Sequence, residues 1–133
     1  MNKCVILIVD DEPEAREMIK RCLTRFMECQ IYEAQTGEEA LDKLKKINFD
    51  LVILDIKMPG LSGLDVMKEI KKYKNLPDTI VLTAWDSAQI ATEAIEEGAM
   101  DYIPKPIITD ILKLKVKTIL EKKARFFSRE NPL

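Results

Sequence analysis

The sequence predicts an α/β protein, a doubly wound five-stranded parallel sheet covered by five helices. Three observations predict it. Five short apolar runs recur along the chain, each followed by a segment with apolar residues at helical spacing. The run Leu51–Leu54 is apolar throughout, as a central parallel strand buried on both faces requires. Strands that alternate with helices pair in parallel through right-handed, helix-covered crossovers.

The first strand reads Cys4–Val9, and Glu14–Phe26 follows as a helix with Ala15, Met18, Ile19, Cys22, Leu23 and Phe26 on one face. Pro13 suits the position just before that helix or its first turn, where no backbone donor is needed. Ile31–Ala34 is a short second strand. Thr36 and Glu39 are spaced as a capping box that opens a second helix, with Ala40, Leu41, Leu44 and Ile47 as its stripe. The third strand is Leu51–Leu54. Met58-Pro59-Gly60 and Ser62-Gly63 mark a loop, and Leu64, Val66, Met67 and Ile70 mark a third helix. Thr79–Leu82 is the fourth strand. Ser87–Glu97 is the fourth helix, stopped by Gly98. Asp101–Ile103 is a short fifth strand, and a fifth helix runs from Ile107 through Ile111, Leu112, Leu114, Ile119 and Leu120.

The 133 residues suit one domain with a real core. A content of 47% apolar and 33% charged residues is that of a globular chain rather than a disordered one. A net charge of −2 gives no global attraction to nucleic acid or an anionic membrane. The longest apolar stretch, Cys4 to Val9, is far short of a bilayer span, and no signal-peptide cleavage site is visible after Met1-Asn2-Lys3. Cys4, Cys22 and Cys29 are odd in number and lack metal-ligand spacing, so they read as reduced, structural thiols of a cytoplasmic protein. The chain has no histidine, so any phosphohistidine donor belongs to another molecule. From Lys113 to Glu130 seven Lys/Arg face two Glu, which reads as a solvated face and compensation of the helix dipole.

Asp10-Asp11, Asp55, Thr83 and Lys105 each sit at or just beyond the end of an apolar run. In a parallel sheet these ends lie on one edge, so the side chains meet in one cleft. Three carboxylates, a hydroxyl and an ammonium suit a divalent cation and a phosphoryl group.

The strings Val9-Asp10-Asp11-Glu12, Leu54-Asp55-Ile56-Lys57-Met58-Pro59-Gly60, Leu82-Thr83-Ala84 and Gly98-Ala99-Met100-Asp101-Tyr102-Ile103-Pro104-Lys105-Pro106 resemble the receiver domain of bacterial two-component response regulators. The resemblance covers residues 3 to 122. It implies the flavodoxin-like strand order 2-1-3-4-5, and it leaves residues 123 to 133 as a helical extension or the start of a linker. It also implies that Asp55 is the phosphoacceptor, attacking phosphorus to form an acyl phosphate. Asp11 resembles the direct metal ligand and Asp10 its partner acting through a metal-bound water. Asp55 and the backbone carbonyl of Lys57 complete the site, and Mg²⁺ is the implied cofactor, with Mn²⁺ able to substitute. Thr83 resembles the switch hydroxyl, and the small Ala84 leaves room for the phosphoryl group. Lys105 pairs with that group from a cis bond to Pro106. Tyr102 resembles the aromatic that turns inward when Thr83 moves, reshaping the surface of helix four, strand five and helix five.

The implied protein is a signalling phosphoacceptor rather than an enzyme, one that promotes its own phosphorylation and dephosphorylation. Its implied donor is a sensor histidine kinase or phosphotransfer protein. Its implied recipients are a downstream output domain or protein, or a second copy in a phosphorylation-induced homodimer. Two rim positions are individual to this chain: Lys57 and Trp85, placed to obstruct the water that hydrolyses the acyl phosphate. The chain lacks the Asp-x-Asp of a haloacid-dehalogenase-type phosphatase and the Ser/Thr/Gly-rich loop of an FMN binder. A phosphate-independent pseudo-receiver is the alternative, but such modules lose an acid, the acceptor or the lysine, and all are present here.

Overall fold

In the computed structural model, which describes residues 4–84 and 86–130 and side chains through 123, strands and helices alternate strictly. The elements are β1 (Cys4–Val9), α1 (Pro13–Phe26), β2 (Cys29–Ala34), α2 (Gly37–Lys46), β3 (Leu51–Asp55), α3 (Gly63–Ile70), β4 (Thr79–Ala84), α4 (Ala88–Glu96), β5 (Asp101–Lys105) and α5 (Thr109–Glu130). The sheet order is β2-β1-β3-β4-β5, and every pairing is parallel.

Side-chain alternation divides the core into two layers. Leu7, Val9, Val52, Leu54 and Val81 face α2, α3 and α4 through Ala40, Leu44, Val66, Met67, Ile70 and Ala94. Ile6, Ile8, Leu51, Ile53, Ile80, Leu82 and Ile103 face α1 and α5 through Ile19, Leu23, Leu112, Val116 and Ile119. All five residues of β3 are buried, as its unbroken apolar run requires.

Helix ends follow local chemistry. Thr36 Oγ1 caps α2 by accepting from the Glu39 amide at 3.1 Å. The reciprocal half of the expected box is missing because the Glu39 carboxylate pairs with Lys43 at 3.3 Å one turn on. The complete box belongs to α3, where Ser62 Oγ accepts from the Asp65 amide at 3.2 Å and the Asp65 carboxylate accepts from the Ser62 amide at 3.2 Å. Gly98 ends α4 at φ +117°, a conformation that excludes a side chain without strain.

Strand ends differ from the sequence expectation in one consistent direction. β3, β4 and β5 continue through Asp55, Ala84 and Lys105, so Asp55 and Lys105, expected just past their strands, are the last strand residues and Thr83 is the last but one of β4. β2 starts earlier, at Cys29, and α5 starts later, at Thr109. Lys123 Nζ donates to the Asp50 carbonyl at 2.8 Å and lies 3.7 Å from the Asp78 carboxylate, tying α5 to the amino edge of the sheet. No helix among the described residues is long and apolar enough to cross a membrane.

Candidate functional site

β1 and β3 are neighbours with Val9 opposite Leu54, so the next residues, Asp10 and Asp55, stand side by side at the carboxyl edge. The chain leaves β1 towards the α1 face and leaves β3 towards the α3 face. Diverging connections at this point of the sheet open a crevice, the place where ligands bind in such folds. Among the described residues four polar side chains are buried, Asp10, Asp55, Thr79 and Thr83. Three of them lie at this edge. Thr79, at the other end of β4, satisfies its hydroxyl by donating to the Pro77 carbonyl at 2.8 Å. The cost of burying polar groups is thus concentrated at one place, the mark of a site rather than of packing.

Asp10 is fully buried. Its Oδ1 accepts from the Glu12 amide at 3.0 Å. Its Oδ2 lies 2.7 Å from Lys105 Nζ, close enough for an ion pair. Among the described residues no donor approaches Oδ2 along a hydrogen-bond direction, so it relies on the Lys105 ammonium alone. Lys105 Nζ also lies 3.1 Å from Asp55 Oδ2 and 3.9 Å from Glu12 Oε1. Burial pulls the Lys105 ammonium down, but its contacts with Asp10 and Asp55 outweigh that and hold its pKa above 10.5. Burial first, and then the charge of Asp10 with a smaller push from Asp11, raise the Asp55 carboxyl from 3.8 to about 6 against the opposing pull of Lys105. One ammonium therefore does not neutralise this acidic group.

Oxygens of Asp10, Asp11 and Asp55 all lie within 4.8 Å of one another. Hard oxygen donors, an excess of negative charge and a buried oxygen lacking a hydrogen bond fit a hard divalent cation such as Mg²⁺. Asp11 is exposed at the mouth and would meet the ion from the solvent side.

The cleft above these groups measures about 900 Å³, and Asp11, Glu12, Lys57, Met58, Ala84 and Lys105 are among its lining residues. Lys57 and Ala84 are exposed at the rim. A separate hollow of about 660 Å³ between α1 and α5, lined in part by Glu14, Arg21 and Lys113, holds none of the strand-end groups. The Lys105-Pro106 peptide bond is cis. Thr83 is buried and pairs with Pro104, beside Asp55 across the β3–β4 ladder. By alternation Thr83 has the parity of Val81, the α4 side, whereas Asp10, Asp55 and Lys105 have the parity of Ile8, Ile53 and Ile103. Tyr102 is the partner of Val81 and shares that parity with Thr83. Its ring lies outside the cleft, 43% exposed, with Lys115 Nζ 5.9 Å from its centroid. Trp85 lies outside the described residues.

Two residues that hold the site were not evident in the sequence. Arg16 on α1 donates from Nη1 to the Asp10 carbonyl at 2.8 Å and from Nε to Glu33 on β2 at 3.1 Å, fixing the β1–α1 turn. Gly63 lies under the β3–α3 turn, where a Cβ would run into the Asp55 carbonyl and come within 2.9 Å of Ile56 Cα. The Gly63 amide donates to the Ile56 carbonyl at 2.9 Å, closing the turn. Only a Pro-Gly/Ser-Gly loop signal marked this segment; the close approach depends on the folded turn.

A family model described as the response regulator receiver domain matches residues 6–117. The chain belongs to this receiver family. Curated relatives agree. The transcriptional regulatory protein ResD of Bacillus subtilis (strain 168) is 35% identical over 133 residues, 98% of this chain and 55% of ResD. The response regulator MprA of Mycolicibacterium vanbaalenii is 36% identical over 117 residues, 88% of this chain and 50% of MprA. The chain thus spans about half the length of these curated relatives. Among solved structures, the receiver domain of NtrX from Brucella abortus superposes with a TM-score of 0.80 at 32% identity, covering 87% of this chain and 98% of that one. The signal receiver domain of a putative Luxo repressor protein from Vibrio parahaemolyticus gives 0.86 at 29% identity and covers 98% of each chain. In this receiver domain the acidic crevice lies where β1 and β3 part.

Proposed function

We propose that this receiver domain accepts a phosphoryl group on Asp55 and that the resulting acyl phosphate resets the surface formed by α4, β5 and α5. The observation that carries the reading is the setting of Asp55. It is a carboxylate 3% exposed at the parting of β1 and β3, raised to about 6 yet in contact with an ammonium at 3.1 Å. A side chain so placed is ionised at neutral pH and is the natural nucleophile of the crevice.

Asp10, Asp11, Asp55 and the Lys57 carbonyl would hold Mg²⁺, and that ion would neutralise charge on the phosphoryl oxygens. Asp55 attacks phosphorus in line, and the P–N bond of a partner's phosphohistidine breaks. With no histidine in the chain, that donor is a histidine kinase or phosphotransfer protein. Lys105 moves its contact from Asp55 to the new dianionic oxygens. Ala84, at the rim, leaves them space. Thr83 turns its hydroxyl towards a phosphoryl oxygen, vacating volume on the α4 side. Tyr102, of the same side-chain parity and one strand away, turns from its exposed position into that volume. The equilibrium between two packings is shifted by one local charge event. The chain promotes its own phosphorylation and, by admitting a water to the acyl phosphate, its own reversal.

The output lies downstream. ResD and NtrC are named as transcriptional or DNA-binding regulators, and this chain spans 55% and 23% of their lengths. We place the receiver unit at residues 3 to 122 and read the continuation of α5 as the lead into an output domain or a dimer contact.

Incubation with acetyl phosphate and Mg²⁺ tests the reading. The expected product carries one added phosphoryl mass, labile to hydroxylamine and absent in Asp55→Asn. Equal labelling of Asp55→Asn at the same rate would remove Asp55 from its role. Amide exchange of the labelled form should change between residues 83 and 106; changes confined to α1 would remove Thr83 and Tyr102 from theirs.

A further inference from the structure

The spacing of the cysteines carries no pairing signal, but the sheet supplies one. Cys4 is the first residue of β1, Cys29 is the first residue of β2, and the two are register partners in the parallel ladder. Such partners project to the same face. Here it is the α1–α5 face: Cys4 has the parity of Ile6 and Ile8, which are buried in that layer, and Cys29 and Ile31 pack against it. Both thiols are free and half-buried. Neighbouring strands run about 4.8 Å apart, inside the roughly 4.4–6.8 Å Cα separation that a disulfide spans. Among the described residues the pair forms the first rung of the β1–β2 ladder. Cys22 does not belong to the pair: it lies on α1, and its Sγ is 3.7 Å from the Thr109 carbonyl.

We propose that Cys4 and Cys29 are a dithiol modification site, closed to an intramolecular disulfide by a small-molecule disulfide such as oxidised glutathione. One thiol, deprotonated, attacks a sulfur of the glutathione disulfide. The S–S bond breaks, a protein–glutathione mixed disulfide forms, and the leaving thiolate takes up the proton. The second cysteine then attacks the protein sulfur of the mixed disulfide and expels a second glutathione thiol. Two protein thiols are oxidised to one disulfide while one glutathione disulfide is reduced to two thiols. Burial keeps both cysteines weak nucleophiles at neutral pH, so the first exchange sets the rate. The second exchange is intramolecular between adjacent strands and outruns it. Closure ties edge strand β2 to β1 and encloses the whole of α1 in the loop. The site stands at the end of β1 opposite Asp10, so it stiffens the scaffold without blocking the crevice.

The full chain is incubated with excess oxidised glutathione in native buffer, alongside Cys22→Ser and Cys29→Ser. Wild type and Cys22→Ser should each lose the mass of two hydrogens and yield a Cys4–Cys29 linked peptide, with the bridged species exceeding the glutathione adduct by roughly tenfold. The bridged form should melt higher, by on the order of 5 °C, and return on reduction. Cys29→Ser should stop at a stable glutathione adduct on Cys4 and form no intramolecular bridge. The proposal is overturned if folded Cys22→Ser accumulates adducts without a bridge, if the linked peptide contains Cys22, or if the bridge forms only in denaturing urea.

Discussion

Replacing Asp55 by Asn should make the metal-free domain more stable, and the gain should depend on pH in a way the site dictates. The folded-state pKa of Asp55 is about 6 and its ordinary value is 3.8, so folding raises it. A carboxyl raised by folding binds its proton more tightly in the folded state. Its contribution to stability is therefore intact below about pH 4, falls as pH rises towards 6, and stays lost above. The shift corresponds to about 3 kcal/mol once Asp55 is fully ionised, and at 3% exposure water screens little of it. Asn keeps the shape, cannot ionise and loses only the contact with Lys105, already counted in the net shift. The expected gain at pH 7.5 is then roughly 1–3 kcal/mol, or about 5–10 °C in melting temperature for a domain of this size. It should shrink towards zero near pH 4. The assay is urea unfolding of both proteins in chelator at a series of pH values, repeated with Mg²⁺. The cation should stabilise the wild type and leave Asp55→Asn nearly unmoved. If Asp55→Asn is no more stable than wild type at pH 7.5, or if its advantage does not vary with pH, burial and the charge of Asp10 do not destabilise the Asp55 carboxylate.

Gly63→Ala should cost about 1–3 kcal/mol in urea unfolding, because the added methyl displaces the Asp55 carbonyl rather than a flexible side chain. It should also weaken Mg²⁺ binding measured by calorimetry; an unchanged midpoint would mean the turn has room. Arg16→Met removes both bonds that hold the β1–α1 turn. It should destabilise the domain by about 1–2 kcal/mol and lower Mg²⁺ affinity, and retention of wild-type affinity would detach Arg16 from the site. Lys57→Asn should release phosphate from the labelled protein faster, by roughly 3- to 10-fold, since the lysine at the cleft rim then no longer obstructs the attacking water. Equal rates would leave Lys57 a plain rim residue. Trp85→Ala, at the second position the sequence implicates, should act in the same direction, and an unchanged rate would remove Trp85 from that role.

What the sequence made legible, and what it hid, follow from how far each signal reaches. Apolar periodicity reports burial, so it located all five strands and the bounds of β1, but it stopped β3, β4 and β5 short of their carboxyl ends and began β2 late. Asp55, Thr83 and Lys105 nonetheless belong to the ladder, because backbone pairing continues beneath polar side chains when those meet one another instead of water. Thr36 capped α2 as its spacing required, but Glu39 had a second partner, Lys43, that a local rule does not weigh. Arg16 and Gly63 act across folded distances: Arg16 has no local signature, and the Ser62-Gly63 pair marks a loop but not the close approach to Asp55. Asp10 and Asp11 show how much a period of two decides. They are adjacent and chemically identical, yet one is fully buried and the other exposed. Ile6, Ile8 and Asp10 share one parity, and so do Ile53 with Asp55 and Ile103 with Lys105. Three strands therefore deliver Asp10, Asp55 and Lys105 to the same side of the sheet edge, while Asp11, one residue out of phase, turns to the mouth. Asp10 keeps the parity of β1 because its amide still donates to the Ala34 carbonyl at 3.1 Å, whereas Asp11 lies in the turn beyond the strand. Moving Asp10 by one position would dismantle the division between a buried acid held by the lysine and an exposed acid facing the solvent.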